Sequence, residues 1–452
     1  MIRISYSVIL LVLAEPPAYN INNDCPIKNK TPTKAFNELN AFLTPLQVSI
    51  IFAAYELGAS LTLIFTETMG NRFGYTMCIG IEMLCSAILG MLTPIAVVLK
   101  NFYALVVIRL LTGALLSPIY PMMNVLMSNW SPTNERNTYG IILYGSSVGT
   151  FTTIIIYGRI ILNLKHITTY LTGMIIIIWC MVWMLFVTDH PSMHSRVTLQ
   201  ELDEISRQRM SIDTLRIRRR TPWKEIVRSS KIRALALLMW CNTWNLTFFM
   251  DYMPMYYNQM TSKTFTEAID WACLPLFSRL VGSIVCLPII KCLLITNMLS
   301  ITVMRKIFTV FSHIIPGTIA LATLTTNCIE IANVIKMIVI MGFNGAFVGG
   351  GFINAIDLTP NFARNIFAPM LSLITLSGVI MPFVVGCVLQ HYNQHVIAWS
   401  IIMGVCGGVY LLGGIIYIIF GSASIQSWDI AYARQAFQSV SRIYFDDEDF
   451  DF

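Results

Sequence analysis

The sequence contains few charged residues for its length. Of its 452 residues, 12% are Asp, Glu, Lys or Arg, whereas 56% are hydrophobic. Soluble domains carry charge on about 25% of their residues, because their apolar cores need a polar surface around them. A chain this poor in charge argues against a cytosolic enzyme, a nucleic-acid-binding protein and a disordered scaffold. The composition predicts an all-α polytopic membrane protein.

The sequence also lacks the motifs of metal sites, nucleotide sites and hydrolases. Its eleven cysteines form no CxxC pair and show no metal-ligand spacing. It contains no Walker motif, no HExxH motif and no spacing typical of a Ser-His-Asp triad. The run Gly349-Gly350-Gly351 has no phosphate-loop lysine after it and is therefore interpreted as a closely packed helix end. We predict neither enzymatic activity nor a cofactor.

Eleven apolar segments are long enough to cross a bilayer, which takes about 20 residues. They are residues 46–67, 76–98, 102–128, 137–162, 167–188, 234–258, 266–292, 306–326, 332–354, 366–387 and 396–420. A further apolar segment, residues 4–14, covers only about 16 Å as a helix. With Arg3 before it, it is either a secretory signal peptide or the second half of a first helix whose beginning is missing.

Basic residues are concentrated between His190 and Arg233. This segment has a surplus of six Lys and Arg over Asp and Glu, equal to the net charge of +6 of the whole chain. Between apolar spans, such a surplus predicts a cytoplasmic loop rather than a nucleic-acid site. Both termini are then cytoplasmic, and the sequon at Asn29 lies outside, where it predicts glycosylation.

Charged residues inside spans are expensive unless they face a cavity or a partner, so they are candidate functional residues. Arg109 is the candidate ligand of a substrate anion, because guanidinium stays protonated and binds carboxylate or phosphate in bidentate fashion. The alternatives are a headgroup contact or a structural ion pair. Glu56 is interpreted either as a proton or sodium site or as a structural partner of Arg3 or Arg109. Arg279 faces either a cavity or the lipid headgroups.

Several loop motifs resemble those of a transporter family. Residues 70–74, Gly-Asn-Arg-Phe-Gly, resemble the loop between helices 2 and 3 of the major facilitator superfamily. Residues 129–137, Asn-Trp-Ser-Pro-Thr-Asn-Glu-Arg-Asn, resemble the W-x-P-x-x-E-R loop of its anion–cation symporter branch, which holds the sialic acid, vesicular glutamate and sodium–phosphate cotransporters. Further matches to that branch are residues 189–194, 201–205, 222–226, 253–256 and 305–308, with Asn354, Asp357, Pro360, Gln426 and Trp428.

The resemblance implies a major facilitator fold of two six-helix bundles around a central site that opens alternately to each side. It favours the interpretation of residues 4–14 as a truncated first helix. The implied domains are an N-terminal bundle (1–188), a basic cytoplasmic loop (189–233), a C-terminal bundle (234–420) and an acidic cytoplasmic tail (421–452).

The resemblance also assigns roles to individual residues. By position, Arg109 matches the helix-4 arginine associated with anion binding or coupling, Arg3 the helix-1 arginine, and Trp244 the helix-7 tryptophan beside the cavity. The matching gating loops contain Asn71, Arg72, Gly74, Glu135 and Arg136. The implied activity is symport of phosphate or small organic anions, with sodium or protons as the coupling ion.

Three departures from the family pattern leave a second function open. Asn71 replaces the acidic residue of the loop motif, Leu116 replaces a glutamate of proton-coupled relatives, and Leu371 replaces an asparagine of helix 11. The alternative is a non-transporting or inactive membrane protein on the same fold. The predicted partners are a small anion and the lipid bilayer, with no nucleic acid and a monomeric state. The plasma membrane is the default location, with a lysosomal or vesicular membrane as the alternative.

Overall fold

The computed structural model describes residues 42–130, 148–156, 167–203, 221–261, 265–323, 329–360, 362–392 and 395–430. Within these residues, eight helices are long and apolar enough to cross a membrane. The prediction of an all-α integral membrane protein is thereby confirmed. Arg3, Asn29, Glu135, Arg136 and the proposed half helix at residues 4–14 lie outside the described residues, as does most of the predicted span 137–162.

The N-terminal half contains six helices whose bounds are described, and residues 148–156 are helical as well. The six helices are α1 (Pro45–Leu63), α2 (Thr66–Phe73), α3 (Tyr75–Val98), α4 (Phe102–Leu116), α5 (Ile119–Trp130) and α6 (Ile167–Phe186). Thr44 and Gln47 form a capping box at the start of α1, and the Asn101 side chain caps α4. Gly74, at φ +85°, makes the sharp turn between α2 and α3.

The C-terminal half contains the three longest described helices and also more interruptions. Its helices are α7 (Trp223–Arg228), α8 (Ser230–Asp251), α9 (Met253–Met260), α10 (Phe265–Thr296), α11 (Ile301–Thr309), α12 (Ile315–Ala322), α13 (Glu330–Asn344), α14 (Gly351–Leu358), α15 (Ala363–His391) and α16 (His395–Phe420). A π-helical turn, Val310–Ile314, joins α11 to α12.

Five predicted spans are divided by interruptions that the hydropathy pattern did not indicate. The span 46–67 is divided between α1 and α2, the span 102–128 between α4 and α5, the span 234–258 between α8 and α9, the span 306–326 by the π turn, and the span 332–354 between α13 and α14. Three of these interruptions lie within two residues of a proline, namely Pro118, Pro254 and Pro316. Proline has no backbone N–H and clashes with the preceding turn, so it interrupts a helix without lowering its hydropathy.

Close helix crossings occur at glycines in both halves of the molecule. A Cβ at Gly58 of α1 would collide with the backbone of Leu110 and Ala114 of α4, and one at Gly113 of α4 with the carbonyl of Tyr55. In the C-terminal half, Gly282 of α10 meets the carbonyl of Gly342 in α13 in the same way. Small residues allow this approach in a membrane, where helix packing depends on van der Waals contact.

Candidate substrate site and gates

Arg109 lies in the interior of the N-terminal half. Its side chain is 1% exposed, and its guanidinium carbon lies 4.7 Å from the centre of the Tyr55 ring. This is the geometry of a cation–π contact. An arginine that reached the headgroups would keep its charged end exposed. The burial therefore favours an interior role for Arg109 over a headgroup contact.

The crossing of α1 and α4 sets the position of Arg109. Gly113, one turn after Arg109, is in contact with the carbonyl of Tyr55. Side chains four residues apart lie on one face of a helix. Since Gly113 brings that face of α4 against α1, the Arg109 side chain is directed onto the ring of Tyr55. The sequence showed a charge within an apolar span. Tyr55, the aromatic partner, lies 54 positions earlier, and no sequence pattern indicated its contact with Arg109.

Glu56 lies at the contact between the two halves of the molecule. It is 2% exposed, and it packs against Gly378 of α15. A Cβ at Gly378 would lie 2.7 Å from Cγ of Glu56 and 3.1 Å from its Oε2 atom. The carboxyl group therefore occupies space that α15 leaves by having glycine at this position.

The contact between α1 and α15, which we call the seam, continues on both sides of Glu56. Near the start of α1, Ser49 packs against Gly386 and accepts a hydrogen bond of 2.8 Å from the hydroxyl of Tyr252. Near its end, the carbonyl of Ser60 accepts a hydrogen bond from the hydroxyl of Ser372. The seam thus joins the N-terminal half to the C-terminal half along most of the length of α1.

The predicted gating loop is held by Asp189, the first residue of the predicted cytoplasmic loop. Oδ1 of Asp189 accepts a hydrogen bond of 2.7 Å from the backbone N–H of Thr76, in the first turn of α3. A Cβ at Gly74 would collide with Oδ2 of the same carboxylate. Asn71 accepts a hydrogen bond of 2.9 Å from the hydroxyl of Tyr75, and the exposed Arg72 lies over the ring of Phe73.

Asp189 therefore supplies a carboxylate beside the loop in which Asn71 replaces the acidic residue. Residues 189–194 matched a family motif, but the sequence did not indicate that Asp189 contacts the first turn of α3. Anions are favourable at a helix N-terminus, where backbone N–H groups have no partner in the helix.

A pocket of about 330 Å³ lies at one end of the seam. It is lined by Ile64, Glu67, Thr68, Asn71, Thr221, Trp223, Ala368 and Pro369. Thr221 and Trp223 belong to the end of the predicted cytoplasmic loop, so the pocket lies on the predicted cytoplasmic side. Among the described residues, its lining includes the carboxylate of Glu67 and no basic side chain.

Trp244 lies in a hydrophobic core to which both halves of the molecule contribute residues. It is 4% exposed, and its ring centre lies 5.5 Å from that of Trp240. The same core contains Phe248 and Cys406. In this position Trp244 packs α8 against neighbouring helices.

Comparison with known proteins identifies the family. Residues 2–368 match the sequence model of the Major Facilitator Superfamily. The chain is 25% identical over 381 residues to sodium-dependent phosphate transport protein 3 of Mus musculus, covering 84% of this chain and 79% of that protein. It is 24% identical over 437 residues to vesicular glutamate transporter 2.1 of Danio rerio, covering 94% and 72%.

Two further similarities agree with this assignment. The chain is 24% identical over 388 residues to sialin of Homo sapiens, covering 84% of this chain and 76% of sialin. The crystal structure of a D-xylose–proton symporter superposes with a TM-score of 0.65 at 10% identity, covering 93% of this chain and 95% of that one. The chain belongs to the Major Facilitator Superfamily, and its relatives are those of the anion–cation symporter branch that the loop motifs predicted.

Proposed function

We propose that the protein is a secondary active symporter that carries inorganic phosphate or a small organic anion by alternating access. The observation that carries the proposal is the buried guanidinium of Arg109 in α4. A cation inside a membrane protein is costly unless it faces a partner or a substrate pathway. An anionic substrate provides a partner of the required sign, and the names of the phosphate and glutamate carriers among the relatives point to the same chemistry.

Each predicted substrate-binding residue has a role in this proposal. Arg109 binds the anion, and Arg3 is a second ligand in the first helix, outside the described residues. Trp244 supports the binding site from the hydrophobic core that both halves share. No cofactor is required beyond the coupling ion.

Glu56 is the proposed coupling site. Its carboxyl group lies at the seam, where α1 meets Gly378 of α15. A charge buried between two helices opposes their close contact unless it is neutralised. Binding of sodium or a proton to Glu56 would therefore favour closure of the seam, which links ion binding to the movement of one half against the other.

The alternative of an inactive protein on the same fold rests on Asn71, Leu116 and Leu371. The carboxylate of Asp189, bonded to Thr76 next to this loop, weakens the argument from Asn71 because an acidic group is present there. The argument from Leu116 and Leu371 stands on sequence alone. We therefore favour the carrier.

Transport is tested by uptake of labelled phosphate and a panel of carboxylates into cells that express the chain. The sodium and pH gradients are varied separately, and surface expression is measured in parallel. Uptake that depends on one gradient supports the symporter and identifies its coupling ion. Absence of uptake of every anion despite surface expression contradicts the proposal and favours the non-transporting alternative.

A further inference from the structure

A second arginine lies in a polar cluster within the C-terminal half. Nε of Arg279, in α10, donates a hydrogen bond of 3.0 Å to the side-chain oxygen of Asn344 in α13. The amide nitrogen of Asn344 in turn donates to the side chain of Asn242 in α8, at 2.9 Å, and to the carbonyl of Ser312, at 3.2 Å. Asn242 is 5% exposed and Asn344 1% exposed. The cluster therefore fixes the orientation of Arg279 from three other segments of the chain.

Arg279 points away from the surface that α10 exposes. Leu274, Phe277 and Val281 form an exposed apolar row on this helix, at 38%, 44% and 43%. At 3.6 residues per turn, Arg279 lies about 140–160° around the helix from each of them. Its side chain is half-buried. This position favours the interior over the headgroup interpretation that the sequence left open.

The two arginines lie at equivalent crossings in the two halves. In the N-terminal half, Gly113 of α4 meets the carbonyl of Tyr55 in α1, and Arg109 lies over the Tyr55 ring. In the C-terminal half, a Cβ at Gly345, directly after α13, would lie 2.6 Å from the carbonyl of Arg279 in α10.

Arg279 thus occupies the position in α10 that Tyr55 occupies in α1. In a fold made of two related bundles, equivalent crossings lie at corresponding depths on opposite sides of the central space. Each half therefore places one guanidinium at its crossing.

We propose that Arg279 is a second cationic ligand of the transported anion, so that the substrate is bound between Arg109 of one half and Arg279 of the other. This inference rests on the proposed function and specifies its substrate class. Two guanidinium groups match a small anion with two negative charges or several acceptor oxygens, such as hydrogen phosphate or a dicarboxylate. A ligand shared by both halves also makes the site dependent on how the halves are arranged.

The inference is tested by phosphate binding to the purified full chain in detergent. Inorganic phosphate is titrated calorimetrically into the wild type, Arg109→Ala, Arg279→Gln and Arg279→Lys. We expect Arg279→Gln to weaken binding about tenfold to a hundredfold, as for a lost hydrogen bond to a charged group. Arg279→Lys keeps the positive charge but loses the planar set of donors. We therefore expect its phosphate affinity to lie between that of the wild type and that of Arg279→Gln. The control is Lys291→Gln, which removes an exposed cation from the same helix and leaves the affinity unchanged.

The outcomes separate this inference from the proposed function. Phosphate binding that Arg109→Ala abolishes and Arg279→Gln leaves at wild-type affinity overturns only the role of Arg279. A wild type that binds neither phosphate nor a dicarboxylate contradicts the proposed function as well. If Arg279→Gln does not fold, the test uses Arg279→Lys. Wild-type phosphate affinity in Arg279→Lys, together with a lower midpoint of thermal unfolding in the absence of phosphate, would show that Arg279 has a structural role. That result would overturn the proposal.

Discussion

At the scale of single residues, the buried charges of Arg109 and Glu56 are the main support for the proposed function. Arg109 and Glu56 stood out in the sequence because each interrupts an apolar span, and the structure places both in the interior. Their surroundings could not be read from the sequence. Nothing in the sequence distinguishes Tyr55 or Gly378 from other residues of apolar spans. The fold places Tyr55 beside Arg109 and Gly378 beside Glu56. A charge inside a membrane is visible in a hydropathy pattern, whereas its neighbours depend on tertiary contacts.

Replacement of Glu56 by Gln tests the coupling site. The change keeps the size of the side chain beside Gly378 but removes the charge that a proton or sodium ion would neutralise. We expect phosphate uptake by Glu56→Gln to lose its dependence on the coupling gradient, while the protein still reaches the surface. Uptake is measured at several sodium concentrations and pH values, with Glu201→Gln, an exposed carboxylate, as the control. Unchanged gradient dependence in Glu56→Gln would rule out this role.

Replacement of Asp189 by Asn tests how the loop before α3 is held. The change replaces a charged acceptor of the Thr76 N–H by a neutral one. Capping interactions of this kind contribute about 0.5–2 kcal/mol. We therefore expect faster proteolytic cleavage near Gly74 and a lower midpoint of thermal unfolding in detergent. Asp203→Asn changes an exposed carboxylate in the same way and should leave both unchanged. The same cleavage rate and unfolding midpoint in Asp189→Asn and Asp203→Asn would show that the Asp189 contact does not stabilise the loop.

At the scale of helices, the positions of the spans were predictable but their interruptions and crossings were not. A run of about 20 apolar residues fixes a membrane helix by length alone. The π turn at Val310–Ile314 and the break at Tyr252 leave the hydropathy unchanged, so no span boundary indicated them. The crossing of α1 and α4 likewise depends on which of many glycines meets a neighbouring backbone. Gly58 and Gly113 do so, whereas a Cβ at Gly90 of α3 would meet no atom of another described segment within 4 Å.

Replacement of Gly113 by Ala tests whether the α1–α4 crossing is needed. The added Cβ would overlap the carbonyl of Tyr55, and overpacking of this kind costs about 1–3 kcal/mol. We expect a lower midpoint of thermal unfolding in detergent and reduced uptake, because Arg109 is positioned by the same crossing. The matched control is Gly90→Ala, which should be neutral or slightly stabilising because alanine favours a helix. A Gly113→Ala variant as stable and active as Gly90→Ala would contradict the proposed importance of the crossing.

At the scale of the whole molecule, the family resemblance determined more than composition could. Composition predicted a membrane protein, but the branch came from loop motifs, which the relatives confirmed. The two halves meet along the seam between α1 and α15, and no local pattern in the sequence indicated that contact. The substrate is also not encoded in any single segment, since its proposed ligands, Arg109 and Arg279, come from different halves.

The central claim, that Arg109 binds a transported anion, is tested most directly in proteoliposomes. Uptake of labelled phosphate is measured under imposed sodium and proton gradients for the wild type, Arg109→Ala and Arg196→Ala, an exposed control with the same chemical change. Removing one partner of a buried charge pair costs about 2–5 kcal/mol, so Arg109→Ala should lower uptake at least about thirtyfold. Arg196→Ala should transport as the wild type does. Gradient-driven phosphate uptake by Arg109→Ala at the wild-type rate and apparent affinity would contradict the account.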